Sequence, residues 1–171
     1  MAVLEILTIG HPMLTKKADR VGKIDPDLVR LARDMVDTMR RAPGVGLAAP
    51  QVNVSKRLIT VDLSVGENEE DLIILVNPEI LRQEGEVVSE EGCLSVPDIR
   101  EKVARPYRVV VKGLDLGGKE LEIEGEDMLA RVLCHEIDHL EGKLFTDRLS
   151  PLKRTLIRKK IKKSADAGLK L

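Results

Sequence analysis

The chain lacks any apolar run long enough to cross a bilayer. The longest strongly apolar stretch in its 171 residues is Leu72-Ile73-Ile74-Leu75-Val76, where a spanning helix needs about 20. No apolar signal segment follows Met1, which leads us to expect a cytoplasmic protein with no membrane association. Only two cysteines are present, Cys93 and Cys134, so there is no disulfide framework, and in a reducing compartment they are thiols or ligands. Repeats and low-complexity linkers are missing too, so the expectation is one domain over residues 1–171, with 150–171 as a basic C-terminal helical extension. Aromatic residues are nearly absent, with no Trp, one Tyr and one Phe, and histidine occurs three times. Two of those three histidines stand four residues apart.

What is present is a globular composition. Hydrophobic residues make up 43% and charged residues 33%, which excludes a disordered chain. The net charge of −1 averages two opposite regions. Residues 64–91 hold nine acidic side chains and one basic, whereas residues 151–171 hold eight basic and one acidic. A polyanionic partner is therefore compatible with the sequence despite the near-neutral sum.

Asp25-Pro26 signals a first helix, an N-cap followed by proline at the first helical position. Leu28, Leu31, Met35 and Met39 continue at helical spacing and Pro43-Gly44 ends the run. The middle third reads as strands over 57–63, 72–78, 103–112 and 120–123, rich in Val and Ile, with a hairpin turn at 114–118. A second helix is expected from about Asp127 to Glu141, stopped by Gly142. A third begins at Ser150-Pro151, with Leu152, Leu156, Ile157 and Ile161 as its apolar stripe. The fold class is α+β: mostly antiparallel strands packed around a central metal-binding helix, with an N-terminal and a C-terminal helix.

The second helix contains His135-Glu136-Ile137-Asp138-His139. Histidines at i and i+4 share one helical face, so both imidazoles reach one ion, and the glutamate between them can handle a proton on a metal-activated water. From this composition about 0.005 chance matches to H-E-x-x-H are expected, so the motif is specific. The metalloprotease pattern H-E-x-x-H-x-x-G-x-x-H continues to Gly142 and then fails, because its last ligand position is Phe145. His11, before Pro12, reads as a turn residue. A different third ligand lies in Glu91-Gly92-Cys93-Leu94-Ser95, where a thiolate can complete a two-His, one-Cys set that leaves a position for water. The rival Cys134 points roughly 100° away around the helix from His135.

Gly44-Val45-Gly46-Leu47-Ala48-Ala49-Pro50-Gln51 is a third notable segment, too apolar for a solvated loop and without the lysine of a phosphate-binding loop. GVGLAAPQ, EGCLS and HEIDH, in this order, resemble the three motifs of the peptide deformylases. ILTIGHPML near the start and KLFTDRLSPLKR after Gly142 extend the similarity over nearly the whole chain. Two departures stand out: Cys134 replaces a common glutamine, and Ala42-Pro43 replaces an acidic residue before the glycine loop.

The resemblance implies a metal-dependent hydrolase that releases formate from N-terminal formyl-methionine of new polypeptides. It implies Cys93, His135 and His139 as ligands of Fe²⁺, with Zn²⁺, Ni²⁺ or Co²⁺ able to substitute. Glu136 is implied as general base and acid, with Gln51 and the Leu94 N–H stabilising the oxyanion. Val45, Met128 and Val132 are candidate walls of a methionine slot. Gly46 is expected to pair with the substrate backbone and Arg100 to reach toward the peptide. Glu91 and Arg105 resemble an ion pair that supports the Cys93 loop, with Asp138 nearby. Basic residues of the last helix, Lys153 to Lys163, imply docking on the ribosome, and a monomer is expected. The competing classes are a zinc endopeptidase, which loses its best variant at Phe145, and a non-catalytic ribosome-associated module with a structural metal.

Overall fold

The computed structural model describes residues 2–169, with side chains described through Lys163. The element order begins with helix α1 (Pro26–Arg41), then strands β1 (Gly46–Ala48), β2 (Leu58–Val61) and β3 (Ile73–Glu84). Next come β4 (Val87–Cys93), β5 (Val96–Arg105), β6 (Arg108–Leu114) and β7 (Glu120–Glu126). Helix α2 (Met128–Leu140) and helix α3 (Pro151–Leu169) complete the order. Five strands form an antiparallel sheet in the order β1-β2-β3-β6-β7, and β4 and β5 form a separate two-stranded ribbon.

Helix α1 starts as the sequence requires. Asp25 caps it by accepting the Leu28 N–H at 2.8 Å, and Pro26 fills the first turn. Leu28, Ala32, Met35 and Met39 bury one face against Leu47, Leu58 and Val76. Helix α2 lies in the middle. Its Ala130, Leu133, Ile137 and Leu140 join Ile59, Val61, Leu75, Val109 and Val111 of the larger sheet. With so few aromatics, this core is almost wholly aliphatic.

Three expectations are corrected. The single strand read over 103–112 is two strands, because Pro106 has no N–H to donate and the chain turns at 106–107 between β5 and β6. The strand read as ending at Pro78 continues to Glu84; a register shift between Val76 and Glu79, with Asn77 at φ 53°, absorbs the proline as a bulge. In α3, Ile157 is buried with Val96, Ile99, Leu144 and Phe145, and Ile161 packs against that cluster. Leu152 and Leu156 instead face solvent, 69% and 56% exposed. Strands β1 and β4 were missed, since GLA is short and VVSEEGC is too charged to alternate. The hairpin at 114–118 forms as read, with the Asp115 carboxylate accepting the N–H groups of Gly117 and Lys119.

Candidate active site

Cys93 is the last residue of β4, where the EGCLS segment turns from β4 into β5. The same hairpin therefore aims the thiol and places Leu94 at its tip. Across from it, one turn of α2 presents His135 and His139. The Nε2 atoms of the two histidines are 3.2 Å apart, and Cys93 Sγ lies 3.4 Å from His139 Nε2. A tetrahedral ion with the usual bond lengths sets its nitrogen ligands about 3.3 Å apart and nitrogen from sulfur about 3.5 Å. The three donors fit such an ion, and their atoms all lie within 4.8 Å of one another.

The donor chemistry agrees with the spacing. His135 Nδ1 donates to Glu91 Oε2 at 2.6 Å, which turns Nε2 toward the cluster, where it would ligate an ion by giving up its proton. Burial opposes charge on His135, but the Cys93 sulfur and the carboxylates of Glu136 and Glu91 outweigh it and hold its pKa well above the ordinary value. Burial, followed by the charge of His135, holds the pKa of His139 well below its ordinary value, so its imidazole is neutral, the form a metal ligand needs.

Glu136 faces the other way, into the cleft. Its Oε1 is buried without a hydrogen-bond partner among the described residues, and burial pushes its carboxyl up to about 7. Gly46 of β1 makes room for it: a Cβ there would collide with Glu136 Oε2 and lie 2.9 Å from Val132 Cγ1. Gln51 is buried and fixed at both ends of its amide. Its Oε1 accepts the Ala48 N–H at 2.9 Å, and its Nε2 donates to Ser95 Oγ at 3.0 Å while lying 3.7 Å from Cys93 Sγ. Ser95 was not singled out in the sequence, although it is the last residue of EGCLS.

Behind the ligands lies a buried ionic network. Glu91 Oε1 accepts from Arg105 Nε at 3.1 Å and Arg131 Nη1 at 2.9 Å, and Oε2 accepts from Arg105 Nη2 at 2.6 Å as well as from His135. Arg105 also donates to Asp138 Oδ2 at 2.6 Å, and Arg148 grips the same carboxylate through two bonds of 2.6 and 2.7 Å. Burial works against the charge of Glu91, yet its bonds from His135 and Arg105 hold it well below the ordinary glutamate range. Arg131 and Arg148 were missed by sequence reading, as was the Glu91–His135 bond. Phe145, at the failed protease ligand position, is buried and stacks near His135 with ring centroids 6.3 Å apart.

In front of the ligands opens a cleft of about 640 Å³ lined by His135, Glu136 and Cys93. Val45, Gly46, Gln51, Leu94, Arg100, Met128 and Val132, all candidates from the sequence, line it as well. Pro43, Val65, Val96, Ile99 and Arg131 line it without having been foreseen. His11 is the turn residue it was read to be, its Nδ1 accepting the Met13 N–H. Cys134 faces the core, and burial pushes its thiol up to about 11.

Comparison with known proteins points to one family. The family described as polypeptide deformylase matches residues 3–155. The peptide deformylase of Thermodesulfovibrio yellowstonii is 55% identical over 162 residues, covering 95% of this chain and 98% of the relative. The peptide deformylase of Acidobacterium capsulatum is 46% identical over 98% of this chain and 99% of its own. Among solved structures, a peptide deformylase from Legionella pneumophila superposes with a TM-score of 0.92 at 48% identity over 99% of both chains. A peptide deformylase from Synechococcus elongatus in complex with actinonin gives 0.87 at 38% identity, over 92% of this chain and 86% of that one. With its fold, its donor cluster and these relatives in accord, the chain belongs to the polypeptide deformylase family.

Proposed function

We propose that this chain hydrolyses the formamide bond of N-terminal formyl-methionine in newly made polypeptides, releasing formate through a divalent ion held by Cys93, His135 and His139. The observation that carries the reading is the convergence of one thiol, two imidazoles and a buried glutamate oxygen, unpartnered among the described residues, with Cys93, His135 and Glu136 lining one cleft and His139 behind them. Held by Cys93, His135 and His139, a divalent ion would supply Lewis acidity, lowering the pKa of water toward neutrality.

The residues divide the remaining work. Glu136 Oε1 takes the proton of the attacking water and returns it to the departing amine nitrogen, a task suited to a carboxyl whose pKa lies at about 7. Gln51 Nε2 and the Leu94 N–H donate to the oxygen that gains charge on the formyl carbon, and removing one such donor costs about 3 kcal/mol of transition-state stabilisation. Gln51 is ready for this because Ala48 and Ser95 fix its amide before substrate arrives. Val45, Met128 and Val132 wall the slot for the unbranched methionine side chain. β1 is the outermost strand of its sheet, so main-chain groups around Gly46 can take the peptide as an added strand. Arg100, at the rim beside Glu90, reaches the peptide beyond.

Fe²⁺ is the physiological ion, with Zn²⁺, Ni²⁺ or Co²⁺ taking its place in purified protein; metal analysis of anaerobically prepared protein tests this. The catalytic unit is one domain over residues 1–171, monomeric and cytoplasmic. Among the described residues no helix is long and apolar enough to cross a membrane. Residues 150–171 dock on ribosomal RNA through Lys153, Arg154, Arg158, Lys159, Lys160, Lys162 and Lys163. Replacing Arg158, Lys159, Lys160, Lys162 and Lys163 by glutamine, which leaves the buried Ile157 in place, is expected to weaken co-sedimentation with ribosomes at low salt and to spare hydrolysis of a short peptide; unchanged co-sedimentation would refute the docking.

The central test is formate release from formyl-Met-Ala-Ser by metal-replete protein. Wild type releases formate, and Glu136→Ala binds metal without releasing it. Full activity in that variant, or cleavage of unformylated casein instead, would overturn the assignment.

A further inference from the structure

Val65 breaks two local rules at once. It is the first central residue of the turn Ser64-Val65-Gly66-Glu67, closed by the Glu67 N–H donating to Ser64 O at 3.2 Å. Both central residues have positive φ, 51° at Val65 and 90° at Gly66. That sign pattern belongs to the type I′ turn, which favours Asn-Gly; a β-branched side chain there crowds its own backbone. Val65 is also an apolar side chain left 37% exposed on a loop.

A buried clamp maintains this conformation. Asp62 is fully buried. Its Oδ1 accepts the Ser64 N–H at 3.0 Å and the Ser64 hydroxyl at 2.6 Å, and its Oδ2 accepts the Gly66 N–H at 2.9 Å and Arg40 Nη2 at 3.2 Å. Arg40 lies beneath Gly66 and pairs with Glu69 Oε1 at 3.0 Å on the far side of the turn. The loop is also tied to the cleft, because the Asp62 N–H donates to Val45 O at 2.8 Å. Val65 thereby lines the same cleft as Pro43, Gly44 and Val45.

Strained backbone and an exposed apolar group persist together where function requires them. We propose that Val65 is a specificity-determining residue, giving an apolar contact to a substrate side chain that follows formyl-methionine. The inference rests on the deformylase reading above. A peptide added beside β1 passes residues 43–46 and so passes Val65. Neither the catalytic groups nor the methionine slot uses this side chain, and the turn itself is better served by asparagine.

The experiment compares kcat/KM for formyl-Met-Xaa-Ser and formyl-Met-Ala-Xaa, with Xaa either leucine or the near-isosteric asparagine. The metal-loaded wild type, Val65→Asn and Val65→Ile are used, and each is also melted. Wild type is expected to favour leucine by about fivefold to tenfold in at least one series. Val65→Ile keeps that preference. Val65→Asn reduces it to below about twofold while melting no lower than wild type, because asparagine tolerates the left-handed backbone. Equal rates for leucine and asparagine in the wild type, or an unchanged preference in Val65→Asn, overturn the proposal. So does a lower melting temperature for Val65→Asn, which would make valine a packing residue of the loop. Absence of formate from every peptide would instead bring down the deformylase reading, and this inference with it.

Discussion

On the side of α2 that meets the five-stranded sheet, Ala130, Leu133, Ile137 and Leu140 pack among Ile59, Leu75 and Val111, and Arg57 ties the helix only at its C-terminal end, through Leu140 O and Glu141. On the side that meets the β4–β5 ribbon, the same helix is tied by Glu91, Arg105, Arg131, Asp138 and Arg148 through bonds of 2.6 to 3.1 Å. The two sides do different work. Apolar burial is roughly proportional to area and indifferent to direction, so it fixes where the helix lies and tolerates small rotations. Charge-assisted hydrogen bonds are directional, so they fix how His135 is turned and where the hairpin bearing Cys93 stands against it. A site that needs three donors on one ion has its directional bonds on the side where the donors meet.

The largest expected effect breaks the ionic side. Arg105→Ala takes three hydrogen bonds and a buried positive charge from Glu91 and Asp138, leaving Glu91 to Arg131 and His135 and Asp138 to Arg148. It should cost about 3–5 kcal/mol in urea unfolding, with weaker metal retention in the protein that remains folded. Leu133→Ala opens a void on the other side and should cost about 2–5 kcal/mol. Its folded fraction should bind metal as wild type does, which is the sharpest contrast between the two sides. Equal loss of metal affinity in both variants would erase the distinction.

Two carboxylates one residue from the same histidine or bonded to it then separate by pH in the metal-free protein. Glu136 has a raised pKa, about 7 in the folded state, so its contribution is most favourable below the unfolded value and is lost as pH rises through 7. Metal-free Glu136→Gln should therefore exceed wild type in stability at pH 8 by about 2–3 kcal/mol. Glu91 has a lowered pKa, so its contribution is present above the unfolded value and is lost as pH falls through the folded one. Thermal melts across pH 3–8 should show Glu91→Gln losing its cost toward the acid end. The smallest effect is at Arg148, which is 42% exposed at the side chain; Arg148→Ala should cost about 1 kcal/mol or less, because Arg105 still holds Asp138 and water reaches the vacated site.

The apolar side of α2 was largely legible in the sequence, and the ionic side was not. Helix periodicity and the i, i+4 histidines are local patterns, and the caps Asp25-Pro26 and Gly142 are local chemistry. Cys93 could be paired with the histidine helix because two imidazoles leave an incomplete ligand set, a chemical deficit visible without coordinates. The Glu91–His135 bond spans 44 residues and has no periodic signature. Arg131 reads as an ordinary polar helix position until β4 brings Glu91 and Val87 O against it. Pro106 and Pro78 show the same limit for strands: one proline divides a strand pair and the other is absorbed by a bulge, and only the neighbouring strand decides which. Leu152 and Leu156 looked like core because helical spacing cannot tell which part of a stripe finds a surface to cover it.

The most direct test of the central claim is anomalous diffraction from crystals of metal-loaded protein, recorded at the absorption edge of the loaded ion. One peak in contact with Cys93 Sγ and the Nε2 atoms of His135 and His139, and lost in Cys93→Ala, is the predicted result. A peak elsewhere, or one that persists with all its ligands unchanged in that variant, would contradict it.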